Sequence, residues 1–93
     1  MMKIIHKFVI EVSGKQSIKI PENAMILSAQ AQHETLCLWV ELDDKEPVSD
    51  RDIYVFGTGH ILDPSIFLHF IDTVQMMGGD LVFHVYYAHQ AMT

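Results

Sequence analysis

The sequence predicts an all-β protein, mainly antiparallel, built as a small sandwich or open barrel of about six to seven strands. Three observations lead to this prediction. Apolar and polar residues alternate with a period of two along several segments, these segments are rich in β-branched and aromatic residues, and turn residues separate them at short intervals. At most one short helical turn is expected. The length of 93 residues, 49% of them hydrophobic, suits a single β domain over residues 1–93.

The first two strands are expected to form a hairpin. Residues 3–12, KIIHKFVIEV, alternate a mainly apolar face with a mostly charged one. Residues 13–16, SGKQ, are typical of a turn, and residues 17–20 resume the alternation until Pro21, which has no amide hydrogen to donate to a neighbouring strand. We expect the two strands to pair with their lysines on an outer face.

A second hairpin is predicted from residues 25–32, MILSAQAQ, and residues 36–42, LCLWVEL, and we expect it at the centre of the sheet. Gln30 and Gln32 share one face of its first strand, so their amides need hydrogen-bond partners if that face is covered. The charged segment 43–50, DDKEPVSD, follows as a loop without periodicity.

The C-terminal half is expected to contain three further strands. Residues 51–56 form the first of them. Asp63, Pro64 and Ser65 favour the start of a helix, whereas the alternation favours a strand from about residue 69 to 76, so we expect one helical turn and then a strand. Gly78, Gly79 and Asp80 are typical of a tight turn that joins this strand to residues 81–87, LVFHVYY, in a third hairpin.

Composition narrows the classes of partner. Twelve acidic residues against six basic ones give a formal charge of −6, which disfavours binding to a DNA backbone. No apolar stretch approaches the roughly 20 residues that span a bilayer, and the N-terminus has too short an apolar run for a secretory signal. Cys37 is the single cysteine and lies in an apolar strand, as expected of a packed thiol in a reducing compartment. We therefore expect a cytoplasmic protein without membrane contact.

Residues 54–63, YVFGTGHILD, contain the main candidate site. Gly57, Thr58 and Gly59 lack the third glycine of a dinucleotide fingerprint and the lysine of a phosphate loop. Two glycines around a threonine still allow backbone N–H groups to converge on an anion, with the Thr58 hydroxyl and His60 as further donors. The same residues also suit a kink at a strand end, in which His60 only caps a carbonyl.

Other candidate residues belong to two hypotheses about binding. Around an anion site, charge would come from Arg51 and a stacking surface from Trp39 or Tyr54. A partner protein would instead dock on an acidic loop and exposed aromatic rings, represented by Asp43, Asp44, Glu46 and Tyr87.

Catalysis has little support in the sequence. Neither paired carboxylates nor a nucleophile with an adjacent base is visible, so we expect no enzyme, no catalytic residue and no cofactor. None of the six histidines has helical i, i+4 spacing to another or combines with cysteine in a zinc pattern, so no metal site is assigned. A metal-dependent hydrolase that uses His60, Asp63 and His84 is the minor alternative.

Five segments together resemble a family of short, mostly uncharacterised proteins from tailed phages and prophages. They are MKIIHKF, IPENAMILSAQAQ, LCLWVEL, FGTGH and GGDLVFHVYY, in this order over nearly the whole chain. The resemblance implies a viral gene product in the cytoplasm of the infected cell, and it favours binding over catalysis.

The resemblance leads to two expectations about function. The first is that a homo-oligomer sequesters a nucleotide-derived host immune signal in a pocket. The alternative is an inhibitor or adaptor that docks on a host enzyme.

Overall fold

The structure, a computed structural model, describes residues 2–88 and confirms the all-β prediction. In chain order its seven strands are β1 (Ile4–Val9), β2 (Gly14–Pro21), β3 (Met25–Gln32), β4 (Thr35–Leu42), β5 (Val48–Gly57), β6 (Leu68–Met76) and β7 (Leu81–Ala88). A short 3-10 turn, Met77–Gly79, joins β6 to β7. Within the described residues, no helix has the length and apolar character needed to cross a membrane.

The strands form two antiparallel sheets, ordered β1-β4-β3 and β2-β5-β7-β6. The predicted hairpins β3–β4 and β6–β7 are confirmed. The predicted β1–β2 hairpin is wrong, because β1 pairs with β4 and β2 pairs with β5 in the other sheet. At the crossover, the side-chain amide of Gln16 bonds both the N–H and the C=O of Glu11, so it occupies backbone groups that a hairpin partner would need.

One core lies between the two sheets. Alternation in β4 turns Leu36, Leu38, Val40 and Leu42 towards it, where full burial of each such side chain contributes about 1.5–3 kcal/mol. The other sheet contributes Ile20, Ile53, Val55, Val74, Met76 and Val85. Cys37 is also buried, so its thiol is packed as expected.

The edges β3 and β6 meet through carboxylates. Asp72 Oδ2 accepts hydrogen bonds from Ala29 N (3.4 Å) and Gln30 Nε2 (3.1 Å), and the register of each strand shifts nearby. Glu34 Oε2 accepts from Met77 N at 2.7 Å. These contacts satisfy polar groups at two strand edges that would otherwise invite another chain.

The loop between β5 and β6 replaces the expected helical turn. Asp63 Oδ1 does accept from the amide of Ser65 (2.9 Å), as a helix cap would, and Ile66 N donates to Asp63 O at 3.2 Å. The chain then leaves the helical path, because Leu68 already pairs with Ala88 of β7. Sheet pairing thus overrides a local helix signal. The strand β5 also begins earlier than expected, at Val48, which shortens the acidic loop to residues 43–47.

Candidate functional site

The GTGH turn, residues 57–60, reverses the chain at the end of β5. His60 N donates to Gly57 O (3.1 Å), and Gly57 N donates to His60 Nδ1 (3.1 Å). Gly59 has φ of 93°, which glycine adopts without strain. The His60 ring lies against Gly57 so closely that a Cβ there would be 3.1 Å from Cε1. The glycines therefore have a structural reason, and His60 caps the Gly57 carbonyl with its backbone amide and the Gly57 amide with its ring.

The hydrogen bonding of the turn fixes the tautomer of His60. Because Nδ1 accepts a hydrogen bond, the proton of the neutral ring is on Nε2. The ring is exposed, so Nε2–H is a donor at the protein surface. Of the turn's backbone donors, those of Gly57 and His60 are already used within the turn.

His84 on β7 is held between two hydroxyl groups. Thr58 Oγ1 lies 2.8 Å from Nε2, and Thr73 Oγ1 on β6 lies 3.0 Å from Nδ1. A neutral imidazole has one donor and one acceptor nitrogen, so one threonine accepts from the ring and keeps its own proton, whereas the other gives its proton to the ring. The Thr58–His84–Thr73 network thus offers one donor and one acceptor hydroxyl group at the surface in either tautomer.

Four aromatic rings cover the adjoining outer face of the second sheet. The Tyr54 and Phe56 rings stack at 6.1 Å with 11° between their planes. Tyr86 meets Phe56 edge-on at 5.8 Å and Phe70 at 5.4 Å. Aromatic pairs of this geometry contribute about 0.5–1.5 kcal/mol each beyond burial. We call these four residues the aromatic face.

Two grooves lie beside the GTGH turn. The larger has a volume of about 610 Å³ and a largely apolar lining, to which Lys15, Tyr54 and Asp63 also contribute. The smaller has a volume of about 250 Å³ and contains Thr58 and His84 among its lining residues. Both grooves are lined by Phe56, Gly57 and His60, which therefore form a shared wall.

The structure brings together some of the residues predicted for an anion site. Tyr54 and the four residues of the GTGH turn line the two grooves. Arg51 is not among them, because it lies three residues from Tyr54 in β5 and faces the core with 7% of its surface exposed. Trp39 is on β4 in the other sheet. The charge and one stacking ring expected at the turn are therefore elsewhere.

The residues predicted for protein docking lie partly at the surface and partly against the core. In the acidic loop, Asp44 and Glu46 are exposed, and Asp43 Oδ1 accepts from Lys45 N at 3.0 Å. Tyr87 packs against the core instead of standing on the outer face. Tyr86 is the tyrosine that belongs to the aromatic face.

Several site residues were missed by the sequence analysis. Lys15 lies directly across from Tyr54 in the β2–β5 pair, and Thr73 lies across from His84 in the β6–β7 pair. The alternation in β5 does place Tyr54 and Phe56 on one face. Lys15 gave no such signal, since residues 13–16 were expected to form a turn and the strand after them was expected to pair with β1.

Metal binding finds little support in this geometry. Among residues 2–88, no group of three or more His, Cys, Asp or Glu side chains is arranged to hold a metal ion, the set His60, Asp63 and His84 included. His60 Nδ1 and both His84 nitrogens already have hydrogen-bond partners. The third residue of that set, Asp63, accepts hydrogen bonds from Ser65, and these lower its pKa, the Ser65 hydroxyl more than the Ser65 amide.

Comparison with protein families matches residues 1–93 to the model described as "Domain of unknown function (DUF7352)". The chain belongs to the DUF7352 family. No curated protein and no solved structure matches it. In this DUF7352 protein, the two grooves beside the GTGH turn are the candidate functional site.

Proposed function

We propose that the protein acts by binding a nucleotide-like ligand in the larger groove. The observation that carries this proposal is the cross-strand pair of Lys15 and Tyr54 inside an apolar groove of about 610 Å³. Ligand sites typically have a volume of about 300–1,000 Å³, an apolar lining and a few polar groups. An aromatic ring beside an ammonium group suits a ligand that combines a planar base with a phosphate.

The groove offers a contact for each part of such a ligand. A base stacked on Tyr54 would gain about 1–3 kcal/mol. The Lys15 side chain is 60% exposed, and its ammonium lies 3.6 Å from Asp52. Because an exposed ion pair of this kind is worth only about 0–1 kcal/mol, a phosphate can replace the Asp52 carboxylate at low cost. The Nε2–H of His60 is a further donor at the groove wall.

Charge limits the ligand to a small anion. The formal charge of −6 opposes a polyanion such as DNA, whereas one phosphate needs only the local field of Lys15. The resemblance to phage proteins supports a nucleotide-derived signal of the host cell as the ligand. A homo-oligomer in which another subunit covers the open side of the groove would bury such a ligand more fully.

Calorimetric titration and thermal shift with AMP, ADP-ribose and a cyclic dinucleotide test the proposal, together with the mass in solution. Ligands that bind the native state raise its melting temperature by mass action. We expect Lys15→Gln and Tyr54→Ala to weaken binding. Lys19→Gln is the matched control, because Lys19 lies on the same strand and pairs with Asp50 outside the groove. Absence of binding by all three nucleotides overturns the proposal.

Docking on a host protein is the second candidate function. The observation that favours it is the exposure of Ile61 (92%), Phe67 (84%) and Phe70 (57%) on or beside one loop that two turns hold in place. Under this candidate, Ile61→Ser and Phe67→Ser abolish co-purification of a specific host protein, whereas Lys15→Gln leaves it intact. Co-purification that survives both serine substitutions removes this candidate.

A further inference from the structure

The two grooves differ in chemistry although they share a wall. The larger is mainly apolar, whereas the smaller is lined by Thr58 and His84 together with the Tyr86 ring and Leu62. At about 250 Å³, the smaller groove is below the usual size of a complete ligand site. It has the size of a subsite that takes one ring of a larger molecule.

Thr58 gives this subsite a specific hydrogen-bonding group. Its hydroxyl lies 2.8 Å from His84 Nε2 and keeps either its proton or a lone pair for a ligand, according to the tautomer of His84, whose other nitrogen is held by Thr73 outside the groove lining. The edge of a nucleobase presents both donors and acceptors, so it can bond this hydroxyl group in either state. The Phe56 and Tyr86 rings of the same groove supply apolar walls for its planar ring.

The shared wall carries a donor suited to an anionic linker. His60 lines both grooves, and its Nδ1 is occupied by the Gly57 amide. The proton of the neutral ring is therefore on Nε2 of an exposed side chain in the wall that both grooves share. A phosphodiester that crosses this wall would accept a hydrogen bond there, in addition to any contact with Lys15.

From this arrangement we infer that the ligand is a dinucleotide with one base in each groove and the connecting phosphate over His60. The inference rests on the proposed function and specifies its ligand class. A mononucleotide fills only the larger groove and leaves the Thr58 hydroxyl group to water. A dinucleotide fills both subsites, and only one molecule loses its freedom of motion on binding.

Calorimetric titration with AMP and with the linear dinucleotide pApA tests the inference. The wild-type protein is expected to bind pApA about tenfold more tightly than AMP, as one further stacked base would give. Thr58→Val keeps the shape of the side chain and removes its hydroxyl group, and it is expected to reduce this difference while the Kd for AMP stays unchanged. Lys15→Gln is expected to weaken both ligands to a similar extent.

Two further readouts separate the ligand contact from damage to the turn. Leu62→Ala alters the smaller groove outside residues 57–60, and it is expected to reduce the preference for pApA without lowering the affinity for AMP. In NMR titrations of the wild-type protein, pApA shifts the His84 ring carbon-bound proton signals, and AMP leaves them in place.

The outcomes distinguish the two proposals. Equal affinity of the wild-type protein for AMP and pApA overturns the two-subsite inference and leaves the proposed function standing. Failure of AMP and pApA to bind overturns the inference, and the proposed function falls with it when ADP-ribose and the cyclic dinucleotide also fail to bind. His84 signals that respond equally to AMP and pApA also overturn the inference, because a mononucleotide would then occupy the smaller groove.

Discussion

The second sheet carries tyrosine and a cationic side chain on each of its two faces, in different surroundings. On the core side, the guanidinium of Arg51 lies 5.3 Å from the centre of the Tyr87 ring, and its Nη2 donates to Glu22 O at 3.0 Å. On the outer side, Lys15 faces Tyr54 across the strand pair in an open groove. The protein itself satisfies the inner cation, whereas the outer one has an exposed ion pair with Asp52.

Histidines show the same division. His69 stacks on Tyr87 at 5.0 Å on the core side. His84 is held by two threonines on the outer side, where the hydroxyl groups retain capacity for further hydrogen bonds. Similar residues thus stabilise the fold on the core face, whereas on the outer face they retain capacity for further contacts. Substitutions at matched positions test this division.

The largest effect is expected from the neighbouring tyrosines Tyr86 and Tyr87. Tyr87→Ala opens a cavity beside the core and removes the contacts of the Tyr87 ring with Arg51 and His69. We therefore expect a loss of about 2–3 kcal/mol in the free energy of unfolding. Tyr86→Ala removes two edge-on ring contacts on the outer face and is expected to cost about 1 kcal/mol. Urea denaturation measures both, and equal losses would contradict the division.

Substitution of the two cationic residues is expected to show the same contrast, with the larger loss of stability on the core face. Arg51→Met leaves the Glu22 carbonyl without its donor and removes the cation–π contact, so a loss of about 2 kcal/mol is expected. Lys15→Met breaks one exposed ion pair and is expected to cost less than about 1 kcal/mol. Denaturation midpoints of the two variants, measured at low and at high salt, check this prediction. A larger loss for Lys15→Met than for Arg51→Met would reverse the assignment of roles.

The fold was predictable from sequence in its strands but only partly in their pairing. A period of two identifies a strand and its faces, which is why the hairpins β3–β4 and β6–β7 were found. The same pattern does not say which partner a strand takes when the partner is distant in sequence. The β2–β5 pair therefore escaped prediction, and with it the position of Lys15 across from Tyr54.

The candidate site shows a similar limit. The glycines of residues 57–60 indicated the turn, because the positive φ of Gly59 favours glycine and a Cβ on Gly57 would crowd the His60 ring. Arg51 was placed at this site for its charge alone, although its odd spacing from Tyr54 puts it on the opposite face of the strand. The contact of Thr58 with His84 depends on the β5–β7 register, which residue patterns do not encode.

A smaller effect is expected where the outer face holds His84. Thr73→Val keeps the shape of the side chain and removes one hydroxyl group, so we expect a loss of about 0.5–1 kcal/mol, as for a single exposed hydrogen bond. The NMR signals of the His84 ring nitrogens are expected to show a change in tautomer balance. Ser17→Ala is the control, since Ser17 bonds Asp52 at the other end of this face. If the His84 nitrogen signals match those of the wild type, Thr73 does not hold the ring.

The smallest effect on stability is expected at Asp63, an exposed residue on the rim of the larger groove whose carboxyl is held by contacts with Ser65. The Ser65 hydroxyl is the main cause that lowers the pKa of Asp63, and the Ser65 amide adds to it. Ser65→Ala removes the hydroxyl and keeps the amide, so the Asp63 pKa should rise towards the ordinary value of 3.8. Because the pKa is lowered in the folded protein, the contribution of the charged Asp63 to stability is present above that ordinary value and is lost as the pH falls through the folded pKa. An NMR titration of the Asp63 carboxyl carbon measures the shift, and an unchanged curve in Ser65→Ala would show that the hydroxyl does not hold this carboxylate at the groove.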